Sequence, residues 1–131
     1  MTTPDAERDR RMVLRTAVES YFSALSAHDV STVRWHEDVT LTTPIAPGGP
    51  TQPLVGRTEV CAFFSAIGPA IGAVDVGTLY FSDDLRGAAV HATIEMLEPP
   101  CSLRVVDRFE VDDDGLIVEQ ENHFDPRPAM P

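Results

Sequence analysis

The chain contains no lysine, only two cysteines and no stretch of about 20 apolar residues, the length that a transmembrane helix needs. Residues 1–12 also lack the apolar centre of a secretory signal peptide, so we expect a cytoplasmic protein. The ten basic residues are all arginines and stand against 21 acidic residues, which leaves a net charge of −11 at pH 7. Nucleic acids and anionic membranes bind basic surfaces, so this balance disfavours both as partners and favours a small, neutral or weakly polar ligand.

Neither the cysteines nor the acidic residues form a metal-binding pattern. Cys61 and Cys101 are far apart and belong to no Cys-x-x-Cys pair, so we interpret both as reduced thiols that pack in the protein. Three aspartates precede Gly115, but the further ligands and the bidentate glutamate of a calcium loop are missing, and the run is typical of a hairpin turn. We therefore predict no metal and no organic cofactor.

A length of 131 residues, 43% of them hydrophobic, is sufficient for one domain with a core and a cavity. We expect a flexible N-terminal tail over residues 1–11, the domain over residues 12–127 and a C-terminal tail over residues 128–131. The apolar residues from Leu14 to Leu25 recur at helical spacing, which predicts a helix over about residues 5–27 with Tyr21 inside its apolar stripe.

Two further helices are predicted before the strands begin. Asp29 is a suitable N-cap for a short second helix that ends at Trp35. A third helix opens near Gly56, carries Phe63 and Phe64 at helical spacing, and ends at residues 68–69. The Pro-Gly-Gly-Pro sequence makes residues 44–53 a loop.

The remainder of the chain alternates as strands do. The predicted strands cover residues 39–43, 73–81, 88–97, 102–111 and 116–124. The last four are joined by short turns, which favours an antiparallel meander. The whole pattern predicts an α+β fold in which three N-terminal helices pack on a curved, mostly antiparallel sheet.

One of these strands directs a carboxyl group toward the predicted core. The period of two places on one face Leu103, Val105, Asp107, Phe109 and Val111. An ionised carboxylate there is costly to desolvate, so Asp107 either has a partner or stays protonated, and a protonated acid donates a hydrogen bond. The alternative is a structural acid that is bonded to Tyr21 or to the backbone.

The last strand adds two amides to the same interior. Its inward face is expected to carry Val118, Gln120, Asn122 and Phe124. A sealed core would have leucine or valine in place of Gln120 and Asn122, so we infer a cavity whose ligand forms hydrogen bonds. In residues 88–97, Met96 belongs to the inward set, whereas His91, Thr93 and Glu95 are expected to face outward.

Several short motifs, in their order and spacing, resemble the nuclear-transport-factor-two-like superfamily. They are the run from Val18 to Asp29, the turn from Trp35 to Val39, Pro44 after a strand, Gly56-Arg57, Val106-Asp107-Arg108-Phe109, Asp113-Asp114-Gly115 and Phe124-Asp125-Pro126. Over about residues 12–127 the chain is most similar to ketosteroid isomerases and SnoaL-like polyketide cyclases. This resemblance implies a cone-shaped barrel and a homodimer formed through the outer sheet face, which carries His91, Thr93, Arg104 and Arg108.

The resemblance also implies roles for residues. Tyr21 matches the isomerase tyrosine and Asp107 its protonated aspartate, the two donors of the oxyanion hole, so we expect both to be catalytic. The expected substrate contacts are Asn122, Gln120, Trp35, Thr43, Phe63, Phe64, Met96 and Phe109. The isomerase base is an aspartate immediately before the proline after the first strand, where this chain has Thr43, and a hydroxyl does not remove a carbon-bound proton near pH 7 unaided.

The sequence therefore predicts a cofactor-independent isomerase or cyclase for a hydrophobic polycyclic or polyketide-like substrate, in natural product biosynthesis. Two alternatives stay open. One is a non-catalytic module for ligand binding or dimerisation, which the missing base permits. The other is an epoxide-opening hydrolase or cyclase similar to limonene epoxide hydrolases, although no Arg-x-Asp pair is expected on the cavity face.

Overall fold

A computed structural model describes residues 3–130 as two α-helices, short 3-10 turns and one six-stranded sheet. The helices are α1 (Pro4–Ser26) and α2 (Arg57–Ile67), and the strands are β1 (Trp35–Thr42), β2 (Leu54–Val55), β3 (Ile71–Phe81), β4 (Gly87–Leu97), β5 (Pro100–Val111) and β6 (Ile117–His123). The strand order is β2-β1-β6-β5-β4-β3. Only β1 and β6 run parallel, so the predicted α+β fold with a curved, mostly antiparallel sheet is confirmed.

Helix α1 begins at the N-terminal end of the described chain. The Thr3 side chain accepts a hydrogen bond from the Ala6 amide, and the first turn contains a proline and two acidic residues, all of which favour a helix start. Residues 4–11 therefore belong to α1, in agreement with the helix predicted over about residues 5–27, while the division of the chain into two tails and one domain stays a prediction. Part of the predicted C-terminal tail is also regular, since Arg127–Ala129 form a 3-10 turn. Residues 1, 2 and 131 lie outside the described residues.

The predicted second helix is only a 3-10 turn, Val30–Thr32, capped by Asp29 as expected. The chain becomes a strand at Trp35 because β1 pairs with β6 from this residue onward. Three helices were thus expected and the described residues contain two α-helices. The strand β2 was not predicted, since two residues are too few to show an alternating pattern.

The hairpin turn between β5 and β6 has the predicted form. The Asp112 carboxylate accepts hydrogen bonds from the amides of Asp114 and Leu116, each at 2.9 Å, and Gly115 has a φ of +83°. After the turn, a register shift brings Ile117 rather than Val118 opposite Val111. Ile117 is consequently buried and Val118 is only half-buried, which corrects the predicted facing of Val118.

The inner face of the sheet packs against the apolar stripes of both helices. From α1 the core takes Leu14, Val18, Tyr21, Phe22 and Leu25, as the helical spacing predicted. Irregular pairing in β1, β3 and β6 accompanies the bending of the sheet around this core. None of the helices within residues 3–130 is long and apolar enough to cross a membrane.

Candidate functional site

An apolar cavity opens between the two helices and the inner sheet face. Its empty space, counted together with that at its mouth, is about 430 Å³. The lining residues are Tyr21, Leu25, Thr43, Ile45, Phe63, Phe64, Ile67, Ile71, Ile94, Met96, Leu103, Val105, Asp107, Asn122 and Phe124. Among them only Tyr21 and Asp107 are ionisable. The predicted pair of polar groups therefore does face one cavity.

The two strands β5 and β6 hold Asp107 and Asn122 directly opposite each other. Asn122 Nδ2 donates a hydrogen bond to Asp107 Oδ1 over 2.8 Å. The other carboxyl oxygen, Oδ2, is buried and has no hydrogen-bond partner among the described residues. Asp107 is thus held at one oxygen by the protein, which leaves the second oxygen for a ligand.

Burial decides the charge of this carboxyl group. Asp107 is only 1% exposed, and desolvation raises its pKa from 3.8 to about 7, although the hydrogen bond from Asn122 acts in the opposite direction. The neutral and ionised forms are therefore both populated near pH 7. The neutral form can donate a hydrogen bond from Oδ2.

Tyr21 stays protonated beside it. The pKa of the phenol is well above its ordinary value because the side chain is buried and because the negative charge of Asp107 disfavours a second anion, while Gln120 partly offsets the rise. The ring makes edge contacts with Phe109 and Phe64 at centroid distances of 5.4 and 5.6 Å. Tyr21 is therefore a fixed hydrogen-bond donor at the cavity.

The aromatic residues that were expected at the cavity lie in two layers. Phe63, Phe64 and Met96 line the cavity directly. Trp35 lies behind Phe64, on which it stacks with an interplanar angle of 11° and a centroid distance of 5.9 Å, and its indole nitrogen donates to the Val30 carbonyl. Phe64 thus forms part of the cavity surface, and Trp35 supports that ring from behind.

Three predicted substrate contacts are outside the cavity lining, namely Trp35, Phe109 and Gln120. Their buried facing was predicted correctly, but the sequence pattern does not distinguish a residue on the cavity surface from one packed behind it. Thr43 and Asn122 do line the cavity, Thr43 with only 1% of its surface exposed. No carboxylate replaces the missing base, since Asp107 is the only acid among the lining residues.

Several lining residues were missed by the sequence analysis. Leu25 and Ile67 each follow a predicted site residue by four positions on a helix, so their facing was available from the helical period. Phe124 follows β6 and lines the cavity, as its predicted inward facing indicated. Ile45 lies outside the strands, where no period gives the direction of a side chain. Loop residues of this kind become visible only in the tertiary structure.

The outward residues and the thiols are as expected. His91 and Glu95 are exposed, and Cys61 and Cys101 are free cysteines. Among residues 3–130, no group of three or more His, Cys, Asp or Glu side chains is placed to hold a metal ion. The chemistry that the lining itself provides is hydrogen-bond donation from Tyr21 and from neutral Asp107.

Comparisons with known proteins agree with the fold. A sequence model of the SnoaL-like domain family matches residues 18–120. No match is found among curated proteins. The predicted resemblance to SnoaL-like and ketosteroid-isomerase-like proteins is confirmed at the level of family and fold.

Solved structures with the same fold include an enzyme, a ligand complex and a designed binder. A steroid delta-isomerase from Pseudomonas aeruginosa has a TM-score of 0.72 at 19% identity, covering 88% of this chain and 82% of that chain. A Mycobacterium tuberculosis protein in complex with estradiol-17beta-hemisuccinate has a TM-score of 0.73 at 18% identity, with coverages of 86% and 94%. A computationally designed 17-OHP binder has a TM-score of 0.74 at 21% identity, also with coverages of 86% and 94%. At these identities the likeness concerns the fold alone.

Proposed function

Because the chain belongs to the SnoaL-like domain family, we propose that it is a cofactor-independent isomerase or cyclase for a hydrophobic polycyclic or polyketide-like molecule. The observation that carries this proposal is the buried, unpartnered Oδ2 of Asp107 at an apolar cavity that Tyr21 also lines. A polar atom without a partner inside a protein costs free energy, and a ligand oxygen that accepts from it removes this cost.

In the proposed reaction, Tyr21 and neutral Asp107 donate hydrogen bonds to one carbonyl oxygen of the substrate. The negative charge that develops on this oxygen during enolisation or ring closure is then stabilised at a site from which water is largely excluded. One such donor lowers a barrier by roughly 3 kcal/mol. Thr43 does not supply a base, so the proposal concerns a substrate that is already activated for proton loss or ring closure.

The ligand class is supported by the lining and by the similar structures. Eleven of the 15 lining residues are apolar, with Phe63, Phe64 and Phe124 providing flat surfaces for fused rings. A solved structure of this fold contains estradiol-17beta-hemisuccinate, and another is a designed 17-OHP binder. We therefore choose estradiol as the first binding probe and a β,γ-unsaturated 3-ketosteroid as the first test of turnover.

The test compares two site variants with two surface variants of the same kind. We expect Tyr21→Phe, which removes one donor, to lower turnover about 100-fold and to leave the fold intact. Asp107→Asn replaces the acid by an amide N–H, which is a weaker donor, so we expect it to lower turnover by a smaller factor. The matched controls are Asp75→Asn and Tyr80→Phe, because both parent residues are exposed. Turnover is followed by the ultraviolet absorbance of the conjugated product. Parent rates in both site variants would disprove the donor roles.

A non-catalytic binding module is the second candidate, and Thr43 at the position of the base favours it. Binding is measured through the fluorescence of Trp35, the single tryptophan, which stacks on the lining residue Phe64. Estradiol binding that weakens in both site variants, together with no turnover of any enone or polyketide-like ketone, supports this module.

The epoxide-opening alternative has less support, since none of the described lining residues is an arginine.

We further propose that the protein forms a homodimer through the outer face of β3, β4 and β5. This face carries the exposed apolar side chains of Tyr80 and Val106 among polar ones, including His91 and Arg104. A mixed patch of this kind suits a symmetric interface.

A cytoplasmic location also belongs to the proposal, because free cysteines are typical of a reducing compartment. Fractionation of the source cells tests this location.

A further inference from the structure

Gln120 is buried in the core without the partners that an amide requires. Its side chain is 0% exposed, and neither Oε1 nor Nε2 has a hydrogen-bond partner among the described residues. On β6 it pairs with Phe109 of β5 and with Leu41 of β1, both fully buried apolar residues. An apolar residue at this position would avoid the cost of two unsatisfied polar atoms. The presence of an amide here is therefore not explained by stability.

The polar group with which the Gln120 amide interacts is the hydroxyl of Tyr21. Both side chains lie on the inner side of the sheet and share Phe109 as a neighbour, whose ring centroid is 5.4 Å from that of Tyr21. Gln120 also lowers the pKa of Tyr21 against the larger effect of burial, as an N–H group beside a phenol oxygen does. A side-chain hydrogen bond from Gln120 is among the causes that act on the pKa of Tyr21, so the amide lies beside the hydroxyl, and Nε2 has no other partner among the described residues.

We propose that Gln120 is a positioning residue whose Nε2–H donates to Tyr21 Oη and so directs the hydroxyl proton of Tyr21 into the cavity. A phenol hydroxyl rotates about its C–O bond and has one proton to donate. When a neighbouring N–H occupies a lone pair of the oxygen, the proton is left to bond a ligand oxygen in the cavity. This role rests on the proposed function, in which Tyr21 donates to the ligand.

The first test uses Gln120→Met, which keeps the length of the side chain and removes the amide. We expect the urea midpoint to stay equal or rise, because a buried amide whose Oε1 has no partner is removed, while the affinity for estradiol falls about fivefold. In the Tyr21→Phe background, the same substitution should cause no further loss, since the hydroxyl through which Gln120 acts is absent. Independent, additive losses in the two backgrounds, or no loss in the parent, would overturn the proposal.

A second measurement does not depend on any ligand. The chain contains only three side-chain amides, those of Gln52, Gln120 and Asn122, so their ¹H–¹⁵N signals are resolved and assigned with single variants. Tyr21→Phe should shift the Gln120 signal and leave that of the exposed Gln52 unchanged. An unchanged Gln120 signal refutes the contact. A shifted signal without any estradiol binding supports the contact and counts against the proposed ligand class instead.

Discussion

At Asp107, solvation and hydrogen bonding act in opposite directions on a single carboxyl group. Desolvation favours the neutral acid, while the N–H of Asn122 favours the carboxylate, and desolvation is the larger effect. The result is a pKa of about 7, so the donor form is lost as the pH rises above neutrality. Tyr21 remains protonated over this range because its own pKa is raised. Above pH 7 the site should therefore lose one of its two hydrogen-bond donors, that of Asp107, and keep the donor of Tyr21.

The same carboxyl group should make stability depend on pH. Folded Asp107 holds its proton up to about pH 7, whereas in the unfolded chain the group titrates near 3.8. Between these values the folded state binds more protons, so this group lowers the free energy of unfolding as pH rises, by at most about 1.4 kcal/mol per pH unit. Above pH 7 its contribution is constant.

Urea unfolding of the parent and of Asp107→Asn between pH 4 and pH 9 measures this effect. The variant cannot titrate, so its stability relative to the parent should increase from pH 4 to about pH 7 and then level off. Asp75→Asn is the control, since Asp75 is exposed. A constant difference between parent and Asp107→Asn across the range would show that Asp107 is not the buried acid described here.

At the scale of elements, Arg10 fastens the start of α1 to two turns of the sheet. Its guanidinium donates to the Leu85 carbonyl in the β3–β4 turn over 2.8 Å. It also donates to the carbonyls of Val111 and Asp112, at 2.6 and 2.9 Å, at the start of the β5–β6 turn. Leu85 has a φ of 55°, an uncommon conformation for a residue with a branched side chain. One side chain thus holds residues that are more than 70 positions away in sequence.

We expect Arg10→Ala to lower the free energy of unfolding by about 2–3 kcal/mol, because three backbone carbonyls lose a charged donor. The control is Arg8→Ala, whose side chain is 70% exposed and which should change stability by less than about 0.5 kcal/mol. Urea unfolding at pH 7 measures both. Equal stability of the two variants would mean that water replaces the Arg10 contacts without loss.

At the scale of the whole molecule, the proposed homodimer has to overcome repulsion between two chains that each carry a net charge of −11. Part of the charge on the proposed face is already neutralised within the chain, since Arg108 bonds Glu119 and, over 3.1 Å, Glu121. Added salt screens the remaining repulsion, so we expect association to strengthen with ionic strength.

Sedimentation equilibrium at micromolar concentration tests the dimer and its location. Val106→Arg should give monomers, because it adds a charge at an exposed apolar position between Arg104 and Arg108. Val55→Arg introduces the same charge at a position that is 58% exposed on β2, and it should leave the dimer intact. A monomeric parent, or equal effects of the two substitutions, would reject the proposed face.

The sequence by itself determined those features that depend on neighbours within one segment. The stripes of α1 and α2, the long strands and the inward facing of Asp107 all follow from periods of 3.6 and 2 along the chain. Tyr21 and Asp107 were predicted to face one cavity, and they do. The local spacing was sufficient because each pattern repeats several times within its element.

Only the tertiary structure decided the features that depend on contacts between distant segments. These are the parallel pairing of β1 with β6, the Arg10 contacts, the free Oδ2 of Asp107 and the position of Gln120 behind the cavity wall. A shift of one residue at Ile117 was enough to reverse the facing of Val118. Such shifts leave no periodic trace in the sequence, because they are set by how the strand fits its neighbours.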